Sequence, residues 1–209
     1  TATGSGAFAI GISAAASAQD AIAIGTNVVA SKVNSTAIGS NSKAAEKDST
    51  ALGANAKAQA IRTTAMGVGA TAATNSSSAI GFNSTASGYR SQVIGAYANA
   101  TQNASSAFGY EAQALGNRSL ALGSYANASE NAAIAIGVSA NATGTQSLAL
   151  GVRSNATASK SSAVGFESRA SGSRATAVGV LANASAGNAL AIGSEAVASK
   201  KNATALGTA

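Results

Sequence analysis

The sequence predicts an all-β fold, a parallel β-roll (a solenoid) of about fifteen coils with 14 residues in each coil. Three observations predict it. An aliphatic residue followed by glycine recurs every 14 residues, small residues fill fixed columns between these pairs, and larger apolar residues alternate with small ones. An apolar spacing of two is typical of strands, whereas an amphipathic helix would show a spacing of 3.6.

The aliphatic residue of each pair defines position 0 of the repeat, and we call this set the aliphatic column. Its members are Ile10, Ile24, Ile38, Leu52, Met66, Ile80, Ile94, Phe108, Leu122, Ile136, Leu150, Val164, Val178, Ile192 and Leu206. The fifteen copies follow one another without an insertion. We therefore expect residues 1–209 to form a single repetitive domain.

The first strand of each coil is predicted around position 0. Position −1 is alanine in 14 of 15 copies, and position −3 is Ala, Ser or Thr in all fifteen. Positions −2, 0 and +2 hold 29 of the 40 apolar residues larger than alanine, so these side chains should point the other way. After a turn near +3, a second strand would place small residues at +4 and +6 on one face and polar residues at +5 and +7 on the other.

Position +1 is glycine in every copy, and we call this set the glycine column. Either the turn requires a positive φ there, or the lumen has no room for a Cβ, and the alternation of small and large residues favours the second explanation. A second set of glycines falls at +8 and predicts the other turn of the coil. It consists of Gly88, Gly116, Gly144 and Gly172.

The small columns can line only a narrow lumen, so the aliphatic column must face outward. An apolar stripe along the whole chain exceeds what soluble monomers usually expose. Every segment belongs to the repeat, so no other part of this chain can cover the stripe. Identical chains packed in parallel would bury it, and two, three or more chains would satisfy this argument equally.

Composition excludes several kinds of chemistry. The 209 residues include 56 alanines and 23 glycines but no histidine or cysteine, which removes the usual nucleophile–base pairs and the usual zinc ligands. Asp20 and Asp48 are the only aspartates, so Asp-rich calcium loops are absent. We expect no enzymatic activity and no catalytic, cofactor or metal site.

Residues 34–44 read N-S-T-A-I-G-S-N-S-K-A, which corresponds to the motif N-S-x-A-I-G-x-x-S-x-A. It resembles the head repeat of trimeric autotransporter adhesins, the YadA-like head. The resemblance implies a left-handed roll, a homotrimer with the aliphatic column at the trimer interface, and display on the outer membrane of a Gram-negative bacterium. It also implies virulence-related attachment to host matrix such as collagen, to host cells or to other bacteria.

The family's other segments are not recognisable in this sequence. No basic neck follows the last coil, and there is no heptad stalk and no membrane anchor barrel. The chain is therefore expected to be a piece of a longer passenger, attached to a membrane only through a C-terminal anchor outside it. Arginine replaces the leading asparagine of the family motif at Arg62, Arg90, Arg118 and Arg174.

The polar column at +5 is the candidate ligand face. Its asparagines, which we call the asparagine column, are Asn99, Asn127, Asn141, Asn155 and Asn183. A regular polar ladder is suited to an extended periodic ligand that makes many weak contacts. The alternative is a solvated β face whose side chains hydrogen-bond to one another.

The formal net charge of +6 is the second candidate feature. Arg62, Arg90, Arg118, Lys160 and Arg174 share position −4, near a turn. A basic stripe would attract polyanions such as glycosaminoglycans, or else serve only solubility and edge protection. Nucleic acid is not expected, because bases need stacking aromatics and only Tyr89 adjoins such a cation.

Two further functions compete with adhesion. A structural fibre spacer would have the same repeat but no ligand of its own. An ice-binding solenoid would need an unbroken threonine ladder, and the threonine-rich column at −2 is interrupted by Phe8, Ile22, Leu120 and Leu190.

Overall fold

A computed structural model describes residues 1–208 of the chain. Within them the chain consists of strands and turns and contains no helix, so the predicted all-β solenoid is confirmed, with about fourteen turns. The chain divides into a first compact unit, Thr1–Ala104, and a second unit that begins at Ser105. Both units have the same construction. That the whole chain is one domain, and that the roll is left-handed, stay predictions.

The first unit contains strands of three and two residues in alternation. They are β1 (Phe8–Ile10), β2 (Ala15–Ala16), β3 (Ile22–Ile24), β4 (Val29–Ala30), β5 (Thr36–Ile38), β6 (Lys43–Ala44), β7 (Thr50–Leu52), β8 (Lys57–Ala58), β9 (Thr64–Met66), β10 (Thr71–Ala72), β11 (Ser78–Ile80), β12 (Thr85–Ala86), β13 (Gln92–Ile94) and β14 (Asn99–Ala100). Each three-residue strand ends at the aliphatic column.

The second unit continues the alternation. Its strands are β15 (Ser106–Phe108), β16 (Gln113–Ala114), β17 (Leu120–Leu122), β18 (Asn127–Ala128), β19 (Ile134–Ile136), β20 (Asn141–Ala142), β21 (Leu148–Leu150), β22 (Asn155–Ala156), β23 (Ser162–Val164), β24 (Arg169–Ala170), β25 (Thr176–Val178), β26 (Asn183–Ala184), β27 (Leu190–Ile192), β28 (Val197–Ala198) and β29 (Thr204–Leu206).

Each unit has two parallel sheets. The odd-numbered strands form one, which we call the aliphatic sheet, and the even-numbered strands form the other, which we call the polar sheet. Residues pair with those 14 positions away, as in Ile10 with Ile24 and Thr71 with Thr85. Within each unit, the residues of one column of the sequence therefore form a ladder, spaced by the parallel strand separation of about 4.8 Å.

The core between the two sheets is built almost entirely from alanine. Its buried apolar residues are alanines except for Val28 and Val93. These two are the exceptions in the small-residue columns at +4 and −1. Several buried hydroxyls bond back to the turns, as Ser119 Oγ donates to the Gly116 carbonyl at 2.7 Å and Ser154 Oγ to the Gly151 carbonyl at 2.9 Å. The buried Oγ atoms of Ser42, Ser91 and Ser147 have no hydrogen-bond partner among residues 1–208. Positions −3 and +4 therefore accept either serine or alanine, because both are small and a serine hydroxyl can donate to a carbonyl of the adjoining turn.

The structure corrects the explanation that the sequence favours for the glycine column, namely a lumen without room for a Cβ. Its φ angles lie between +108° and +146°, so the turn does require a conformation that other residues rarely adopt. At most of these glycines a Cβ would also collide with the backbone of the next coil and not with the lumen: at Gly151 it would lie 2.4 Å from the Gly165 carbonyl oxygen. The glycines at +8 do mark the other turn, and there too a Cβ would meet a carbonyl of the next coil.

Each coil has two tight turns that share one geometry. The amide at +4 donates to the carbonyl at +1, and the amide at −3 donates to the carbonyl at +8, as in Ala126 to Gly123 at 3.2 Å and Ala133 to Glu130 at 3.1 Å. The third residue of each turn is left-handed, as in a type II turn, with φ of 56° at Asn41 and 57° at Arg118. These turns keep the coils equal in length, so the side-chain columns stay aligned along each unit.

Candidate functional site

The aliphatic column lies on the outside of the aliphatic sheet. None of its side chains is buried, and Ile94, for example, exposes 50% of its surface and Met66 exposes 41%. The alternating pattern predicts this placement correctly: alanine at −1 fills the lumen while its neighbours point outward. The role of the aliphatic column as a trimer interface stays a prediction.

The asparagine column lies on the outside of the polar sheet, as predicted. Asn99 belongs to β14 of the first unit, and the other four members belong to the second unit. Asn127, Asn141 and Asn155 occupy neighbouring strands, whereas Arg169 separates Asn155 from Asn183. The structure thus brings three of the five asparagines into one continuous run.

Side-chain hydrogen bonds join the three neighbouring asparagines. Asn127 Nδ2 donates to Asn141 Oδ1 at 3.1 Å, and Asn141 Nδ2 donates to Asn155 Oδ1, also at 3.1 Å. An asparagine amide has two N–H donors and two acceptor lone pairs, so each ladder bond leaves further hydrogen-bonding capacity at the same atoms. The run therefore presents half-buried amides in a fixed orientation and at a fixed spacing.

The basic residues at −4 lie on turns and are exposed, as expected. Their side chains are largely without acidic partners, since the one ion pair among residues 1–208 joins Arg153 and Glu167, with Nη1 3.0 Å from Oε1. Arg90 instead lies over its neighbour Tyr89, with 5.0 Å from the guanidinium carbon to the ring centroid. The face of this ring is thus already in contact with a cation of the same chain.

Sequence reasoning missed two kinds of contact along the turns. Phe82 packs edge-to-face on Tyr97 with ring centroids 5.2 Å apart, and Tyr110 packs on Tyr125 in the same way at 5.4 Å. In both pairs the first ring stands at +2 and the second at +3 of the following coil. The spacing of 15 residues between the partners indicates this contact in the sequence, because it exceeds a full coil by one residue and so places the second ring beside the first in the next coil.

The second missed contact joins polar residues at −4 of neighbouring coils. Asn34 Nδ2 donates to Asp48 Oδ1 at 2.8 Å, and Asn188 Nδ2 donates to Asn202 Oδ1 at 3.1 Å. Asparagine and aspartate recur at this position because they tolerate a left-handed backbone better than other side chains. Their ladder bonds stabilise the turn edge in addition.

Residues 1–208 contain no group of three or more His, Cys, Asp or Glu side chains placed to hold a metal ion. The same residues enclose no pocket.

No helix within residues 1–208 has the length and apolar character needed to cross a membrane.

Comparison with known proteins identifies a family and similar solved structures. The family model of the YadA head domain repeat, which contains two copies of the repeat, matches twelve stretches that run from residue 2 to residue 209. The crystal structure of the collagen-binding domain of the Yersinia adhesin YadA is similar, with 26% identity and a TM-score of 0.48. The similarity covers 64% of this chain and 66% of that chain. No curated protein matches the sequence.

Proposed function

Because this chain belongs to the family of YadA head domain repeats, we propose that it is the head of a bacterial surface adhesin. The family and the fold are those of an adhesin head and not of an enzyme. The observation that carries the proposal is the division of the surface between two sheets. One sheet presents a ladder of aliphatic side chains, and the other presents a ladder of polar ones.

In this proposal, the aliphatic sheet is the assembly surface. Three parallel copies of the chain bury the aliphatic column against one another, which removes from water a row of side chains such as Ile94 and Leu150. Parallel packing keeps equivalent coils level, so that each column meets the same columns of its neighbours along its whole length. The polar sheets then face outward on all sides of the trimer.

The polar sheet is the adhesive surface. The asparagine run supports this role, because its amides are held at a fixed spacing and each Nδ2 keeps at least one N–H that the ladder bonds do not use. A matrix protein such as collagen, a host cell or another bacterium would make many weak contacts along such a ladder. Display from the outer membrane of a Gram-negative bacterium, through segments outside this chain, completes the proposal.

The test compares single and multiple substitutions along the asparagine column. Threonine occupies the same column at Thr71 and Thr85, so Asn→Thr changes the amide chemistry without departing from residues that this fold accepts. Binding of the trimer to immobilised collagen, mammalian cells and bacterial cells would be measured for Asn127→Thr alone and for Asn127, Asn141, Asn155 and Asn183→Thr together.

A distributed site predicts that the single variant weakens binding less than about twofold and that the fourfold variant weakens it at least about tenfold, because the contacts add through multivalency. A single substitution that removes all binding would contradict a distributed site. Wild-type protein that binds none of the three surfaces would favour the other candidate function, a fibre spacer without a ligand of its own.

A further inference from the structure

Two lysines face each other directly on the polar sheet of the first unit. Lys43 of β6 and Lys57 of β8 are register partners in adjacent parallel strands, and both side chains are exposed on the outward face. Adjacent strands lie about 4.8 Å apart, and like charges placed opposite each other in a sheet are destabilising. Repulsion between the two ammonium groups therefore lowers the stability of the folded protein when no ligand is bound.

No acidic side chain on this face offsets the pair. The register neighbours on either side are Val29 and Thr71, and the outward residues two positions further along the same coils are Ala45 and Gln59. The ion pair of the described residues, Arg153 with Glu167, belongs to the second unit.

The nearest carboxylates in sequence lie on the turn that follows β6. Glu46 and Asp48 flank Lys47 there, and Asp48 accepts the hydrogen bond from Asn34. Residues 43–62 contain four cations and two carboxylates, so Lys43, Lys57 and the turn residue Arg62 form an excess of positive charge.

Edge protection does not explain the lysines. A lysine that protects a sheet edge stands on a strand with one unpaired side. Here β6 pairs with both β4 and β8, and β8 pairs with both β6 and β10, so both lysines are in the interior of their sheet.

The same column shows how the fold joins neighbouring side chains of a ladder. Asn127 bonds to Asn141 and Asn141 to Asn155, each at 3.1 Å. Two ammonium groups have donors only and cannot bond to each other. An anion placed between them would remove their repulsion and supply the missing acceptors.

We propose that Lys43 and Lys57, with Arg62 at the following turn, bind the sulfate and carboxylate groups of a linear acidic polysaccharide. The proposal deepens the adhesive role of the polar sheet and rests on it, and it adds a ligand class that the asparagine run does not require. The short side chains beside the pair, Ala45 and Thr71, leave the face flat enough for a polymer chain to lie on it.

A polysaccharide fits this surface better than a nucleic acid. Single-stranded nucleic acids bind where aromatic rings accompany the charges, and residues 43–62 contain no aromatic side chain. Lysine is a compact point charge that suits tetrahedral sulfate groups, and it needs no planar two-point geometry. A polymer would also reach the equivalent lysines of several copies in the proposed trimer, which raises its apparent affinity.

The experiment measures binding of the assembled protein to heparin, a sulfated polysaccharide, at low and physiological salt. The test variant is Lys43→Thr with Lys57→Thr, in which both residues become the threonine that follows them in the same column. The matched control is Lys200→Thr with Lys201→Thr, which removes the same charge from exposed turn positions of the second unit.

The test variant is expected to bind heparin at least about tenfold more weakly at low salt, while the control changes less than about twofold, because a local site and not net charge drives the affinity. Wild-type binding should fall steeply as salt rises. The midpoint of thermal unfolding of the test variant should equal or exceed that of the wild type, since a like-charge contact is removed.

Three results would overturn the proposal: equal heparin binding by the test variant and the wild type, equal losses in the test variant and the control, or tighter binding of single-stranded DNA than of heparin. The asparagine variants are measured on heparin in parallel. If they lose collagen and cell adhesion but keep heparin binding, the two surfaces are independent. If wild-type protein binds heparin but no cell or matrix protein, the adhesive role fails while the polysaccharide site stands.

Discussion

Replacing Gly151 with alanine is expected to destabilise the protein by about 1.5–4.5 kcal/mol, although the change adds a single methyl group. Gly151 has a φ of +134°, and an alanine Cβ there would lie 2.4 Å from the carbonyl oxygen of Gly165 in the next coil. The backbone conformation alone costs a non-glycine residue about 1–3 kcal/mol.

The contact adds to that cost. Relieving it requires the two coils to separate by about 1 Å, since ordinary contacts between such atoms begin near 3.4 Å. The hydrogen bond from the Gly165 amide to the Leu150 carbonyl, now 2.8 Å long, would then be lost. A backbone hydrogen bond contributes about 0.5–1.5 kcal/mol.

Gly187 provides the matched control in the same unit. It has no positive φ, and the nearest heavy atom to an added Cβ is the Ser173 carbonyl oxygen at 3.9 Å. Gly187→Ala should therefore stabilise the protein by about 0.4–1 kcal/mol, because it restricts the unfolded chain without straining the folded one.

The assay is equilibrium unfolding in guanidinium chloride, followed by far-ultraviolet circular dichroism at one protein concentration, because assembly makes stability depend on concentration. Gly151→Ala should unfold at a clearly lower denaturant concentration than the wild type, and Gly187→Ala at an equal or higher one. An unfolding midpoint of Gly151→Ala equal to that of the wild type, or an equal loss of stability in both variants, would contradict this expectation.

Two further substitutions test the interface and the turns. The double variant Ile80→Asp with Ile136→Asp should dissociate the assembly or prevent folding, because each aspartate would bury an unpaired charge in the proposed interface. Light scattering measures the mass of the assembly. The control variant Thr85→Asp, on the polar sheet, should leave this mass unchanged. Ala132→Gly should raise the free energy of unfolding by about 0.5–1 kcal/mol, because Ala132 has a φ of 53° and glycine adopts this conformation without penalty. A lower denaturant midpoint than that of the wild type would contradict this expectation.

Much of the fold could be predicted because each column repeats one physical requirement. Alanine at −1 and +6 fits a lumen that admits only small side chains, and the larger or polar residues at −2, 0 and +5 that alternate with these alanines face outward. Val28 and Val93 are accommodated as single larger residues in otherwise small columns. A pattern sampled about fifteen times averages out such local exceptions.

The details of the turns could not be predicted in the same way. Asparagine at Asn27, Asn41 and Asn55 signals a left-handed backbone at +3, but Tyr97, Tyr125 and Leu181 adopt the same conformation without such a signal. There the repeated hydrogen bonds of the coil impose the backbone, and the residue's own preference is overridden. The tight approach between glycines of successive coils is likewise a property of stacking, which local propensities do not describe.

The candidate site was predicted in position but not in its interactions. The period places the asparagine column on the outward face of the polar sheet. The sequence alone left open whether these amides bond to one another, because this depends on side-chain rotamers. The bonds between Asn127, Asn141 and Asn155 settle that point for three residues. The aromatic pairs were missed because their partners occupy different positions in the repeat.

The mass of the protein in solution decides whether the chains assemble through the aliphatic column, on which the proposed adhesive surface depends. Light scattering after size-exclusion chromatography, at micromolar concentration, should give three times the chain mass of 19.8 kDa. A mass of two or four chains would keep the burial of the aliphatic column but contradict the trimer. A mass of one chain, in a sample with the circular dichroism of a β protein, would contradict the assembly surface itself.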